Sequence, residues 1–235
     1  MLSPSELLEQ TIKHLLTKKK ILFLTTSNRW SNEKGGEIAK STQLAFHIAK
    51  IVGSAVTVID VTKLKIYPCE GDVSAQKGNS CGVKKALLKD EVKNPSGLHR
   101  CWASFNNSDD ELWKISKELF QSDCVVFFTS VRWGQTNAFY QKLIERLTWI
   151  ENRHSTLGET NLLANIEAGI IAIGQNWNGA NVVSTQKQVL EFFGFQVQPD
   201  LCWNWQYIDD PKNESSETYK AATLEFNKIF NIGSA

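Results

Sequence analysis

The chain predicts a single three-layer α/β domain, a five-stranded parallel sheet with helices on both faces. Three observations carry this expectation. Apolar runs of strand length alternate with amphipathic helical segments along the 235 residues. The runs are continuously apolar, as in strands covered on both faces. Each is separated from the next by enough chain for a right-handed crossover, which keeps successive strands parallel.

The elements follow in order. Ser3 before Pro4, with acids behind it, marks a helix start, and a first helix is expected over Pro4 to Leu16. The run "ILFLTT" (21–26) is the first strand. In "EIAKSTQLAFHIAKIVG", Ile38, Leu44, Ala45, Ile48 and Val52 share one helical face, and Gly53 ends the helix. "AVTVIDV" (55–61) is the second strand. From 62 to 108 the pattern dissolves into a long insertion. Stretches of that length are usually functional, and a lid or a dimer contact is expected here. A capping box from Ser108 to Glu111 opens the next helix. "CVVFFTS" is the third strand. The helix after it turns Phe139, Leu143, Ile144, Leu147 and Ile150 inward. "AGIIAIG" (168–174) is the fourth strand, followed by a helix from Val182 to Phe193. "FQVQPDLCW" is the fifth strand, and "SSETYKAATLEFNKIF" a last helix with a serine cap. No repeat, linker or second core interrupts the series, so residues 1–235 read as one domain.

Composition narrows the function. A net charge of +1 provides no field for nucleic acid or an anionic membrane. The run Lys18-Lys19-Lys20 suits a helix C-terminus. No apolar stretch is long enough for a membrane helix. The N-terminal segment lacks the basic start and apolar middle of a signal peptide, so a cytoplasmic protein is expected. Five cysteines, odd in number and sparse, suggest no disulfide framework. Eight tryptophans are the anomaly. Trp30, Trp102, Trp133, Trp177, Trp203 and Trp205 fall in expected loops, where flat side chains often serve a flat ligand or an interface.

In an open parallel sheet, ligands bind beyond the carboxyl ends of the strands, where strand order reverses. Order 2-1-3-4-5 brings three loops together there. The first, "TSNRWSNEKGGEIAKST", offers Ser27, Arg29, Ser41 and Thr42 at a helix start, a natural phosphate site, although a plain polar loop with a helix cap reads equally well. It is neither a P-loop nor a dinucleotide-binding turn. The second offers Ser130, Val131, Arg132, Trp133, Gly134 and Gln135. The third offers Gly174, Gln175, Asn176 and Trp177. Tryptophan suits the face of a heteroaromatic ring; amides and backbone groups suit its polar edge. The three together describe a site for a flat heterocycle with a phosphate tail.

At this point the chain resembles the flavodoxin-like NAD(P)H-dependent FMN reductases and quinone reductases. Their signature after the third strand is Pro-Val-Tyr-Trp-Gly, then a helix ending in Lys-x-x-Ile-Asp-Arg. Here the residues are Ser130-Val131-Arg132-Trp133-Gly134, then Gln141, Ile144, Glu145 and Arg146. Ser27-Asn28-Arg29 matches the family's early Ser-x-Arg, and Ser41-Thr42 its hydroxyl-rich helix start. The likeness spans roughly residues 20 to 195. It departs at Ser130, Arg132 and Gln141, where the family has proline, tyrosine and lysine. The resemblance implies a flavodoxin-like sandwich with FMN, its phosphate on the first loop and its ring against the other two. NADPH or NADH would be the electron donor and the protein a homodimer. Arg132 either serves the ring or a bound acid, or is a surface arginine.

Relatives often carry a Pro-Cys-x-x-Cys cluster after the second strand, and some bind an iron–sulfur cluster there. Here Pro68-Cys69-Glu70-Gly71-Asp72 lacks the second cysteine, and Cys81, Cys101 and His99 lie far along the chain. No metal is expected; redox-active thiols or ordinary cysteines remain. His154 sits either at a partner's flavin or, more simply, at a helix end. The expected activity is FMN-dependent NAD(P)H oxidoreduction, with electrons passed to a quinone, nitro compound or free flavin. The flavin carries that chemistry, so no catalytic side chain is named. The rivals are a flavodoxin-type electron carrier, against which the near-neutral charge argues, and a non-catalytic flavin- or ligand-binding domain.

Overall fold

The computed structural model describes residues 2–29, 36–174 and 177–233. Helix α1 (Pro4–Leu15) opens on a reciprocal cap: the Ser3 hydroxyl accepts from the Glu6 N–H, and the Glu6 carboxylate accepts from the Ser3 N–H at 2.7 Å. Strand β1 (Ile21–Thr25) leads to helix α2 (Lys40–Val52), then to β2 (Val56–Asp60). After the insertion come α3 (Leu112–Leu119), β3 (Cys124–Arg132), α4 (Ala138–Ser155), β4 (Glu167–Gly174), α5 (Gly179–Phe193), β5 (Gln196–Gln206) and α6 (Ser216–Ile229). The sheet order is β2-β1-β3-β4-β5, all parallel. This is the flavodoxin-like arrangement, in the predicted order.

Strand alternation divides the core into two faces. Ile21, Phe23, Cys124, Val126 and Phe128 meet α1, α2 and α6. Leu22, Leu24, Val125 and Phe127 meet α3, α4 and α5. All nine are fully buried, and each large one contributes roughly 2 kcal/mol by leaving water. Gly169 is dictated by packing: a Cβ there would lie 2.1 Å from the Cβ of Leu201. That close approach sits where the β4–β5 register jumps, between Ala168↔Val197 and Ile170↔Cys202.

Several expectations are corrected. Ser108 does not cap α3. Residue Glu111 stands at the cap without a side-chain bond, because its carboxylate accepts from the Lys65 N–H and pairs with Lys114. Ile38 precedes α2 and is exposed, and Phe139 is half-buried under Lys142; Tyr140 takes the inward position. Trp203 and Trp205 are core residues of β5, packed on Phe230 and Phe226, since both alternate onto the α6 face. Nor does β3 stop near Ser130; it continues to Arg132.

The insertion after β2 has structure of its own: a small hairpin (Val73–Ser74 with Gly78–Asn79) and a one-turn helix (Trp102–Asn106). It lies along α4. The Arg146 guanidinium, wholly buried, reaches Asp110 at 2.7 and 3.0 Å, the Ser104 hydroxyl at 3.0 Å and the Tyr67 carbonyl at 2.6 Å. Burial works against the Asp110 charge, but those Arg146 bonds outweigh it and hold the carboxyl below its usual range. Arg153 and Asn152 donate to the carbonyls of Leu98 and Cys81. Among the described residues no helix is long and apolar enough to cross a membrane.

Candidate functional site

The segment after β3 is a two-residue hairpin. Trp133 (φ 51°) and Gly134 (φ 70°) form its turn, and Gln135–Thr136 return antiparallel, pairing Val131↔Thr136 and Arg132↔Gln135. Positive φ at both turn positions is what a type I′ hairpin requires. Gly134 meets that need and a second one: a Cβ on it would lie 2.8 Å from the Trp177 ring. The Asn178 amide fixes the turn by donating to the Gly134 carbonyl at 2.7 Å. Trp133, held by this anchored turn, projects outward and is 91% exposed.

Asn137 follows the hairpin and ties the strand ends together. Its carbonyl oxygen caps α4 by accepting from the Tyr140 N–H. Its NH2 points at the hydroxyls of Thr26 (3.2 Å), Thr129 (2.9 Å) and Ser130 (3.2 Å). Two buried hydroxyls lie beside it, Ser41 donating to Ser27 at 2.6 Å. Helix α2 starts there without a cap. Ala39 at the N-cap offers no side-chain acceptor, and no acid stands in the first turn. Among the described residues no side chain caps the first N–H groups of this 13-residue helix.

These parts surround a cleft of about 370 Å³, within the range of small-molecule sites. Ser27, Arg29, Ser41, Ser130, Val131, Arg132 and Trp133 all line it. Three cations, Arg29, Lys40 and Arg132, face one lining acid, Glu214. Arg29 is paired with Glu37 at 3.0 Å. Burial, then the neighbouring Arg29 charge, pushes the Lys40 ammonium below its ordinary range. Arg132 is exposed and makes no ion pair among the described residues. Burial and Glu214 raise the Tyr219 phenol, so it stays protonated as a hydrogen-bond donor.

Other expected site residues lie elsewhere. Thr42 is buried one position behind the cleft, its hydroxyl without a partner among the described residues. Gly174 ends β4 in the core, Trp177 packs on Gly134, and Gln135 faces the far side of the hairpin. Gln175 and Asn176, like Trp30, lie outside the described residues. The insertion contributes nothing to the cleft lining. Its Cys101 accepts from Arg146, and Cys81, raised to about 12 by burial and the neighbouring Cys101 and Cys69, is held as a thiol. His154 bonds the Phe193 carbonyl at 3.2 Å.

Sequence reasoning missed Glu214 and Tyr219. β5 delivers the chain to the carboxyl edge of the sheet, so α6 begins beside the first loop. The available signal was the spacing Tyr219–Ala222–Phe226, which extends the inward stripe of α6 to its first turns.

Among protein-family models and curated proteins, none matches this chain. Solved structures do match its fold. RosB, with 8-demethyl-8-formylriboflavin-5'-phosphate bound, is 16% identical over 90% of this chain and 74% of its own, with a TM-score of 0.57. The azoreductase AzrA is 15% identical over 90% of this chain and 97% of its own, with a TM-score of 0.51. At such identities the likeness carries the fold.

Proposed function

We propose that this protein is an FMN-dependent NAD(P)H oxidoreductase that reduces a small acceptor such as a quinone, a nitro compound or free flavin. The observation that carries this reading is the uncapped start of α2, set against the buried Ser27–Ser41 hydroxyl pair and flanked by Arg29 and Lys40. A helix start with free N–H groups, hydroxyls and cations is the donor set a phosphate monoester needs. The remainder of the cleft, with Arg132, Trp133 and Tyr219, joins aromatic surface to polar edges and suits a flat heterocycle. That a RosB structure holds a riboflavin phosphate derivative in a similar fold agrees with the reading.

Bound there, FMN would supply hydride acceptance from a nicotinamide and onward electron transfer. The chain's own part is to bind and orient. Ser27, Ser41 and the first N–H groups of α2 hold the phosphate, with Arg29 and Lys40 balancing its charge. Asn137 keeps the ends of β1 and β3 in register, which fixes the distance from that anchor to the hairpin. Arg132 supplies a cation near the ring, favouring negative charge on what binds there. A homodimer, as the family resemblance implies, and a cytoplasmic location complete the proposal.

The test is spectroscopic. Purified protein mixed with FMN should show a perturbed flavin absorption band, and anaerobic NADPH or NADH should bleach it within seconds. An unperturbed spectrum would sink the reading; slow or absent bleaching of bound flavin would favour an electron carrier.

A further inference from the structure

One cation of the cleft stands too far along its strand to belong to a phosphate anchor. Strand β1 pairs β3 in the register Ile21↔Cys124 to Thr25↔Phe128, and the Thr26 N–H still donates to the Phe128 carbonyl at 3.0 Å. Carried two residues further, that register sets Ser27 level with Ser130. The Asn137 NH2 agrees, since it lies 3.5 Å from the Ser27 hydroxyl and 3.2 Å from that of Ser130. Arg132 is two residues beyond this level, about 7 Å farther along an extended strand. It therefore belongs to the mouth of the cleft, outward of the Ser27–Ser41 pair. Arg132 is exposed and makes no ion pair among the described residues. The acid in the cleft lining, Glu214, is hydrogen-bonded to the Tyr219 phenol. Next to Arg132, Trp133 presents an indole that is 91% exposed, on a turn that Asn178 holds in place. Tyrosine stands at position 132 in the family that the chain resembles, so this charge is the chain's own.

We propose that Arg132 and Trp133 make the mouth of the cleft selective for an acidic aromatic ligand, an aryl carboxylate or sulfonate, over its uncharged counterpart. The indole supplies a face for the ring. The guanidinium takes two oxygens of the acid group in a bidentate pair. An exposed ion pair alone contributes little; the ring contact beside it fixes the geometry and keeps water from one side. That this ligand is the electron acceptor rests on the reading of the cleft as a flavin site. The acceptor is then a quinone or nitroarene that carries an acid group. For a quinone the exchange balances as quinone, NAD(P)H and one proton giving hydroquinone and NAD(P)+.

The full chain, loaded with FMN, is titrated by calorimetry at low salt with 2-naphthoate and with 2-naphthamide, which differ only in the charge of the group on the ring. Arg132→Gln and Arg132→Lys are titrated in the same way. Naphthoate should bind about tenfold more tightly than naphthamide; Arg132→Gln should abolish that preference and Arg132→Lys keep part of it. Steady-state reduction of 1,4-naphthoquinone-2-sulfonate and of 2-methyl-1,4-naphthoquinone should show the same split in KM. Equal affinity for the two naphthalenes, or an unchanged preference in Arg132→Gln, overturns the proposal. A preference in binding without a split in KM supports the ligand class and overturns its identity as the acceptor. Failure of the unmodified protein to take up FMN, read from the flavin absorption, sinks the flavin reading instead. The naphthoate preference of the unloaded protein, and its loss in Arg132→Gln, then decide the matter alone.

Discussion

Trp133 holds a backbone conformation that a bulky side chain ordinarily avoids, with φ 51° and its ring 91% exposed. The left-handed region costs an L-residue roughly 1–2 kcal/mol. Burial does not offset it, so the strain points to a use at the cleft mouth. Trp133→Asn supplies the Asn-Gly pair that such turns prefer. Urea unfolding should show it more stable by about 1 kcal/mol, while FMN affinity falls. A less stable variant would mean the indole makes contacts the fold needs. His99 is strained in a different currency. Buried against Trp149, with Nδ1 2.6 Å from the Ser116 hydroxyl, it is pushed from 6.5 to about 3, chiefly by burial. Because folding lowers this pKa, the unfolded chain binds the extra proton below about 6.5. Stability is then lost as pH falls from there toward about 3. Between pH 6.5 and 5 the loss should be on the order of 2 kcal/mol, and His99→Asn should flatten that slope. Parallel slopes for the two proteins in urea titrations at both pH values would contradict it.

Helix α2 is the element on which the proposed binding depends, and it leaves a common stabiliser unused. Ala39→Asp would cap it, adding about 1 kcal/mol of helix stability. The same carboxylate would stand where a phosphate is proposed to bind, so FMN affinity should drop at least about tenfold. Unchanged affinity by fluorescence titration would move the phosphate away from this helix. The helix itself was legible: Leu44, Ala45 and Ile48 repeat at helical spacing and are buried. The strands were legible because apolar runs covered on both faces have few other interpretations. Its open start was not, since Ile38 extended the apolar pattern back beyond Lys40. The hairpin was hidden too, because two residues of return strand carry no periodicity. Arg146 shows a subtler limit. It shares the inward stripe of α4 with Leu143 and Leu147, yet an arginine there reads as exposed until Asp110 is seen beside it.

At the scale of the whole molecule, parallel topology gathers the carboxyl ends of β1 and β3 where strand order reverses, and the cleft follows from that. The family resemblance reached the same place through Ser27, Arg29 and Trp133. Tyr219 and Glu214 escaped it because their nearness to Arg29 joins chain segments almost the whole sequence apart. The long insertion, packed along α4 through Arg146, Asn152 and Arg153, braces the opposite face of the sheet from α2. Recognition of a flavin through its phosphate is what the proposed function of the cleft requires. It is tested most directly by titrating the protein with FMN and with riboflavin under identical low-salt conditions. Tighter binding of FMN by about 100-fold or more is the predicted result, as expected for a group held by charge-assisted hydrogen bonds. Equal affinity for the two, or binding of neither, would contradict it.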